Sequence, residues 1–296
     1  MTEAPTPPPA PAWLNRSMYP FAPHWFQTAA GRIHYVDEGK GRPVVFVHGN
    51  PAWSFLYRRV ITQLSGTFRC IAPDHLGFGL SDKPRSWSYL PADHAKNLED
   101  LLLGLDLTNI TLVVGDWGGP IGLSFALRHP DRINALVITN TWAWSVKSDW
   151  YYQGFSKFTG GPIGRALIRK RNFFARDIVK AAFGDKSRLT PEIHEHYLQP
   201  LAIPEDRIGC WTFPREIIGS SDWLATLWNR MGMLQHVRVT LAWGMKDVAF
   251  RARELNRWLE AFPRATVVRL EDTGHFVTEE HPDDVARAVR DMNPGI

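Results

Sequence analysis

The stretch TLVVGDWGGPIGLSFALRHP, residues 111–130, decides the fold. It opens on an apolar, β-branched run, breaks at a Gly-Asp-Trp-Gly-Gly turn, and resumes as an apolar helix: strand, abrupt turn, helix. A carboxylate, Asp116, stands at the tip of the turn, with Trp117 after it. Gly115, Gly118 and Gly119 supply the small neighbours that a chain reversing this sharply requires. The helix that follows points its N-terminus at the turn and favours a negative charge there, which predicts an ionised Asp116.

Outward from this unit the same alternation repeats. RIHYVDEG, PVVFVHG and FRCIAP precede it and INALVIT follows, all strand-like, and PADHAKNLEDLLLGLDL carries Leu98, Leu101, Leu102 and Leu105 at helical spacing behind Pro91. The strands at 43–47, 110–114 and 133–138 are apolar on nearly every residue. That pattern implies burial on both faces, hence a mostly parallel sheet with helices on both sides: an α/β fold. From 144 to 224 no strand pattern occurs, and the stretch is rich in aromatics with Pro and Gly breaks. Alternation then resumes with VRVTLAWG, RARELNRWLEAF and ATVVRLED, and a final helix is expected from Pro282. The expected organisation is a core of 15–143 and 225–296 with a helical cap of 144–224 inserted over the strands' C-terminal edge, where ligands of open α/β sheets bind. Residues 1–14 are dense in proline and read as an extended, disordered tail without the basic and apolar regions of a signal peptide.

Composition narrows the function. At 296 residues, 44% hydrophobic and 22% charged, the chain is an ordinary globular protein. A net charge of +4, with no basic block interleaved with aromatics in a nucleic-acid pattern, points away from nucleic acid. The one basic run, RALIRKRNFF at 165–174, reads as the solvated face of a helix. No stretch of about 20 apolar residues exists, so no membrane span and no membrane partner are expected. Cys70 and Cys210 lie far apart without metal-ligand spacing, and free thiols suit a reducing, cytoplasmic setting. His194 and His196 are two apart, which places them on different faces of a helix and argues against a metal pair.

The chemistry gathers at strand ends. The 111–130 turn has the logic of a nucleophile elbow, although Val114 stands where the serine form of the motif has glycine. A helix-capping aspartate is the commoner occupant of such a position; the company of Asp116 argues otherwise. His48-Gly49-Asn50-Pro51 follows an apolar strand, so the backbone N–H of Asn50 and that of Trp117 form a two-sided oxyanion hole. EDTGHFVTEEHP sets His275 directly after a strand as the general base. A base histidine needs an acid to orient it. Asn140-Thr141-Trp142 after one strand offers no carboxylate, whereas Met245-Lys246-Asp247 after the next does, so Asp247 is expected to be that acid. The order Asp116, Asp247, His275 is that of an α/β-hydrolase triad.

HGNPAWSFLYR, DHLGFGLSDKP, VVGDWGGPIGL, NTWAW, GMKD and GHFVTEEHP together resemble the haloalkane dehalogenases. The resemblance implies an α/β-hydrolase fold with no cofactor and no metal. It implies a haloalkane substrate, displaced at carbon by Asp116 to leave an alkyl ester and free halide, and water activated by His275 with Asp247. It further implies a halide cradle of Asn50 and Trp117. Asn50 after Gly49, combined with an acid after the later strand, resembles the third subgroup of the family; Trp142 and Trp144 are candidate wall residues. The nearest rival is an epoxide hydrolase, for which Tyr151, Tyr152 or Tyr197 would have to protonate the opening oxygen. A ligand-binding protein or another activity on the same scaffold is a further alternative. Self-association through the aromatic, basic cap is left open.

Overall fold

A computed structural model describes residues 10–295. Eight strands run as β1 (His24–Gln27), β2 (Arg32–Glu38), β3 (Pro43–Val47), β4 (Arg69–Pro73), β5 (Ile110–Val114), β6 (Ile133–Thr139), β7 (Arg238–Gly244) and β8 (Thr266–Leu270). They form one sheet in the order β1-β2-β4-β3-β5-β6-β7-β8. β1 and β2 pair antiparallel, as do β2 and β4; every pairing from β4 through β8 is parallel.

The inner parallel strands β3, β5 and β6 are apolar on nearly every residue because both of their faces are covered. Val45 and Val47 of β3 enter one hydrophobic cluster, while Val44 and Phe46 enter the other, on the opposite face. Leu112 and Val114 of β5 divide from Val113 in the same way. The period-two alternation of a strand thus feeds two cores at once. Among the helices that cover the sheet are α1 (Arg58–Leu64), α2 (Pro91–Gly104) and α3 (Gly118–Arg128). Pro91 opens α2 at a position where a missing N–H costs nothing, and Leu98, Leu101 and Leu102 are buried on its inner face.

Between β6 and β7 the chain is helical, without a strand among the described residues. It comprises α4 (Trp150–Gly160), α5 (Pro162–Arg171), α6 (Val179–Ala182), α7 (Pro191–Leu198), α8 (Ile208–Gly219) and α9 (Ser221–Asn229), with short 3-10 and π turns between them. After β7 come α10 (Ala252–Ala261), α11 (Val277–Glu280) and α12 (Pro282–Asp291). Helix α9 crosses the boundary expected at residue 224 and packs on α3, with Leu224 and Leu227 buried in the sheet's core cluster.

Two expectations change. The short strand β1 pairs with β2 through backbone hydrogen bonds, and four residues of mixed polarity carry no pattern that marks them in advance. The tail expected over 1–14 lies outside the described residues as far as residue 9. Its last two residues are not loose: Leu14 is buried, and the Trp13 ring meets the Trp53 ring edge-on at 5.9 Å. The cause is apolar area that packing removes from water.

Candidate active site

Asp116 sits between the end of β5 and the start of α3 with φ of +48°, in the left-handed region that a non-glycine residue occupies at a cost of roughly 1–2 kcal/mol. The turn is tight enough that a Cβ at Gly118 would collide with the Val47 carbonyl, and one at Gly119 with the Thr141 side chain. The Asp116 amide donates to the Asn140 carbonyl at 2.9 Å, and the Thr141 hydroxyl donates to the Asp116 carbonyl. The elbow is therefore clamped to the end of β6. Its carboxylate is not a cap: Trp117 holds the N-cap position of α3 and makes no side-chain cap hydrogen bond.

Asp116 Oδ1 accepts the Asn50 backbone N–H at 2.7 Å, and the backbone N–H of the adjacent Trp117 also favours the carboxylate charge. Oδ2 lies 3.8 Å from His275 Nε2. Burial raises the Asp116 carboxyl above its ordinary value; the His275 charge and the two backbone N–H groups oppose this, and the Asp247 charge adds to the rise. Desolvation, the largest of these influences, works against the charge that the helix N-terminus favours.

His275 Nδ1 lies 2.8 Å from Asp247 Oδ2. Burial would lower the imidazole, but the Asp247 charge and hydrogen bond, followed by the charges of Asp116 and Glu280, raise it to about 9. The surrounding carboxylates thus favour the imidazolium form of His275 in the resting site. Asp247 is itself fixed on both oxygens. The Ala249 N–H donates to Oδ1 at 2.7 Å, and Asn140 Nδ2 donates to Oδ2 at 3.0 Å. Asn140 also donates to the Gly244 carbonyl and accepts the Gly244 N–H, so it ties the ends of β6 and β7 together. Sequence reasoning passed over Asn140 because it lacked a carboxylate. It missed Glu280 as well, whose carboxylate accepts the N–H groups of Gly184, Asp185 and Gly274. The signal for Asn140 was its place directly after a buried strand; Glu280 had none, since two of its three partners are 96 and 95 residues away.

These groups form one end of a cavity of about 160 Å³. Its walls are apolar, with Trp142, Phe155, Phe174, Ile217 and Phe250 among them, and the Asn50 and Trp117 side chains also line it. Asn50 Nδ2 makes one long contact, 3.4 Å to the Cys210 carbonyl, while its Oδ1 is buried without a protein partner. The Trp117 ring stacks on Phe213 at 5.3 Å and meets Trp142 edge-on at 4.6 Å. Of the two candidate wall tryptophans, Trp142 lines the cavity, whereas Trp144 packs between Trp228 and Trp258 away from it.

The tyrosines bear on the rival chemistry. Tyr151 donates to the Val248 carbonyl at 2.9 Å and Tyr152 to the Ala249 carbonyl at 2.7 Å. Tyr197 donates to Glu279 at 2.9 Å and does not line the cavity. Their hydroxyl protons are committed to protein acceptors. His194 and His196 likewise serve structure: His194 Nε2 lies 2.7 Å from the Ala175 carbonyl, and His196 Nε2 accepts the Asn15 amide.

A family model for the alpha/beta hydrolase fold matches residues 42–162. The chain is 39% identical over 276 residues to haloalkane dehalogenase 2 of Mycobacterium tuberculosis, covering 92% of this chain and 95% of that protein. It is 34% identical to the cis-3-alkyl-4-alkyloxetan-2-one decarboxylase of Shewanella oneidensis over 93% of this chain and 89% of that one. The crystal structure of haloalkane dehalogenase DbeA from Bradyrhizobium elkani superimposes with a TM-score of 0.82 at 25% identity, covering 91% of this chain and 96% of that chain.

Proposed function

The chain belongs to the haloalkane dehalogenase family of the α/β-hydrolase fold, and from that premise we propose that it hydrolyses haloalkanes through an ester on Asp116. The observation that carries this reading is a carboxylate that accepts the Asn50 backbone N–H at the end of an apolar cavity, with His275 Nε2 3.8 Å from its second oxygen. Asp116 Oδ2 attacks the halogen-bearing carbon. The carbon–halogen bond breaks as the carbon–oxygen bond forms, and the halide leaves with the electron pair. The Asn50 amide and the Trp117 indole, both donors on a dry wall, receive that diffuse anion. His275 then takes a proton from water, which attacks the ester carbon. The resulting oxyanion on Oδ1 keeps the Asn50 and Trp117 backbone N–H groups as donors. Collapse expels the alkoxide, His275 returns the proton, and the products are alcohol, halide and a proton. No cofactor or metal enters this scheme, and Asp247 orients His275 throughout.

The halide pair, combined with an acid after β7, is the arrangement of the third subgroup, to which we assign the chain. The helices between β6 and β7 act as the cap. The cavity is close in size to an apolar cavity that holds benzene, so substrates of about four to six carbons fit. The two buried free cysteines suit a cytoplasmic location.

The test is His275→Phe given 1-bromobutane. We expect at most one bromide per enzyme molecule and a butyl group on the Asp116 peptide by mass spectrometry. A folded variant that carries no adduct would falsify the two-step scheme. With Trp117→Phe, which lacks the indole donor, the bromide burst is expected to slow on the order of 100-fold. Efficient trapping of an epoxide by His275→Phe would favour the epoxide hydrolase, against the committed tyrosine hydroxyls.

One observation favours a second reading: relatives at 34% and 32% identity are named as oxetanone decarboxylases. Attack of Asp116 at the ring carbon bonded to the lactone oxygen would open the ring and free a carboxylate. Loss of carbon dioxide would then form the alkene and return Asp116 as the leaving group, with no water consumed. Release of alkene from a cis-3,4-dialkyl oxetanone, without halide release from haloalkanes, would select it.

A further inference from the structure

The outer face of α4 and α5 combines features that a solvated helix pair does not need. Trp150 is 83% exposed, Phe158 48% and Ile163 66%. Trp150 and Phe158 stand eight residues apart on α4, which places them on one side of the helix. Its other side forms cavity wall through Tyr151, Tyr152 and Phe155. Along these helices cations outnumber acids, although Arg169 pairs with Glu205 at 3.5 Å and Asp149 precedes Trp150. Residues 150–180 hold seven Lys or Arg, among them Lys157, Arg165, Arg169, Lys170 and Arg171, against one acidic residue, Asp177. The surplus exceeds the +4 of the whole chain. Tyr151 connects this face to the cavity: its ring meets Trp150 edge-on at 6.3 Å, and its hydroxyl donates to the Val248 carbonyl. Val248 lines the cavity and is itself 66% exposed, so the cavity opens beside the same face.

We propose that the α4–α5 face docks the protein on an anionic phospholipid bilayer surface, with Trp150, Phe158 and Ile163 in the interfacial layer and the surrounding Lys and Arg on the lipid phosphates. Exposed Trp and Phe within a cationic, acid-poor helix pair is the composition of an interfacial helix. A second copy of the chain is a poorer occupant, because a two-fold interface would set these cations against their own equivalents. An interfacial contact differs from a membrane span: no helix among the described residues is long and apolar enough to cross a membrane. The expectation of no membrane partner rested on that absence of a span alone. Docking would set the mouth beside the phase in which apolar substrates concentrate. The inference holds for either reading of the chemistry.

The full chain is tested by co-sedimentation with vesicles of phosphatidylcholine alone and of phosphatidylcholine with phosphatidylglycerol. We expect binding to the anionic vesicles that weakens in 0.5 M salt. The triple variant Lys157→Glu, Lys170→Glu, Arg171→Glu is expected to bind them on the order of 100-fold more weakly, at roughly one tenfold step or less per charge near the surface. Trp150→Ser with Phe158→Ser should weaken binding as well, while both variants turn over dissolved 1-bromobutane as the parent does. Absence of anionic-lipid dependence, or variants that bind like the parent, overturns the proposal. So does a parent dimer in size-exclusion chromatography that Trp150→Ser with Phe158→Ser converts to monomer, which would assign the face to a second copy.

Discussion

In the proposed mechanism, alkylation of Asp116 removes one of the three negative charges, of Asp247, Asp116 and Glu280, that raise His275. In the resting enzyme all three carboxylates favour the imidazolium, with Asp247 the strongest influence. A protonated histidine is useless as a base, yet it costs the first step nothing, since displacement needs only the Asp116 carboxylate and the halide donors. Once Asp116 is a neutral ester, the imidazole loses that partner and its pKa falls toward the range in which it accepts a proton from water. The base is thus released by the step that creates its substrate. Asp116→Asn reproduces the uncharged state without alkylation. In that variant the His275 titration followed by NMR is expected to move down from about 9; an unmoved titration would show that Asp116 does not govern it. The raised value also has a sign for stability. Its contribution is complete below about 6.5, the unfolded value, and is lost as pH rises toward about 9.

At the scale of elements, the site depends on how strand ends are tied to one another and to the cap. The loop after β8 is held from three directions. The Lys246 amide donates to the Thr273 carbonyl, the His275 amide donates to the Ala182 carbonyl at the end of α6, and Glu280 of α11 gathers the Gly184, Asp185 and Gly274 amides. Glu280 therefore joins the helical insert to the turn that carries His275, and its charge is among those that raise the imidazole. Glu280→Gln keeps the shape but turns one oxygen into a donor that faces backbone donors. We expect a loss of about 1–3 kcal/mol in denaturant unfolding, the cost of leaving buried donors unpaired, together with a lower His275 pKa. Unchanged unfolding and an unchanged titration would leave Glu280 without this positioning role.

Across the whole molecule, the pH response has an acid side as well. His48, His75 and His94 pack in series, with ring centroids 4.3 Å and 5.1 Å apart. Burial, reinforced by their mutual repulsion in His75 and His94, lowers all three. Each is neutral in the folded protein and protonates in the unfolded chain, so stability falls as pH drops below about 6.5. His48 and His75 are engaged with each other's loops, Nε2 of His48 accepting the His75 amide at 2.9 Å. Neither ring nitrogen of His94 has a protein partner. His94→Leu removes two unpaired polar atoms and one acid-titrating group. It is expected to raise stability by about 1 kcal/mol at neutral pH and by more at pH 5, read from melting temperatures across that range. An acid slope equal to that of the parent would show that the buried ladder is not what acid attacks.

The division between sequence and tertiary structure follows the range of the forces involved. Period-two apolarity, the glycines around Asp116 and the Gly-His-Phe turn are local, and β3, β5 and β6 were legible because a strand buried on both faces must be apolar on both. The motifs after β3, β5, β7 and β8 could likewise be named one by one, because chemistry in a parallel sheet gathers at the strands' C-terminal ends. What the chain could not state in advance were contacts between residues far apart along it. The Asn140 clamp spans 107 residues to Asp247, the Glu280 link spans 96 to Gly184, and Trp13 closes on Trp53 from a tail that reads as loose. Nor did the Asp116 environment follow from its turn alone: the helix N-terminus is a local effect, but desolvation is set by everything packed around the carboxylate. Local pattern determined the strands, the order of the chemical groups and the family resemblance. Only the folded chain decided their distances, their protonation and which tyrosine hydroxyls were already occupied, because those depend on burial and on partners that sequence separation conceals.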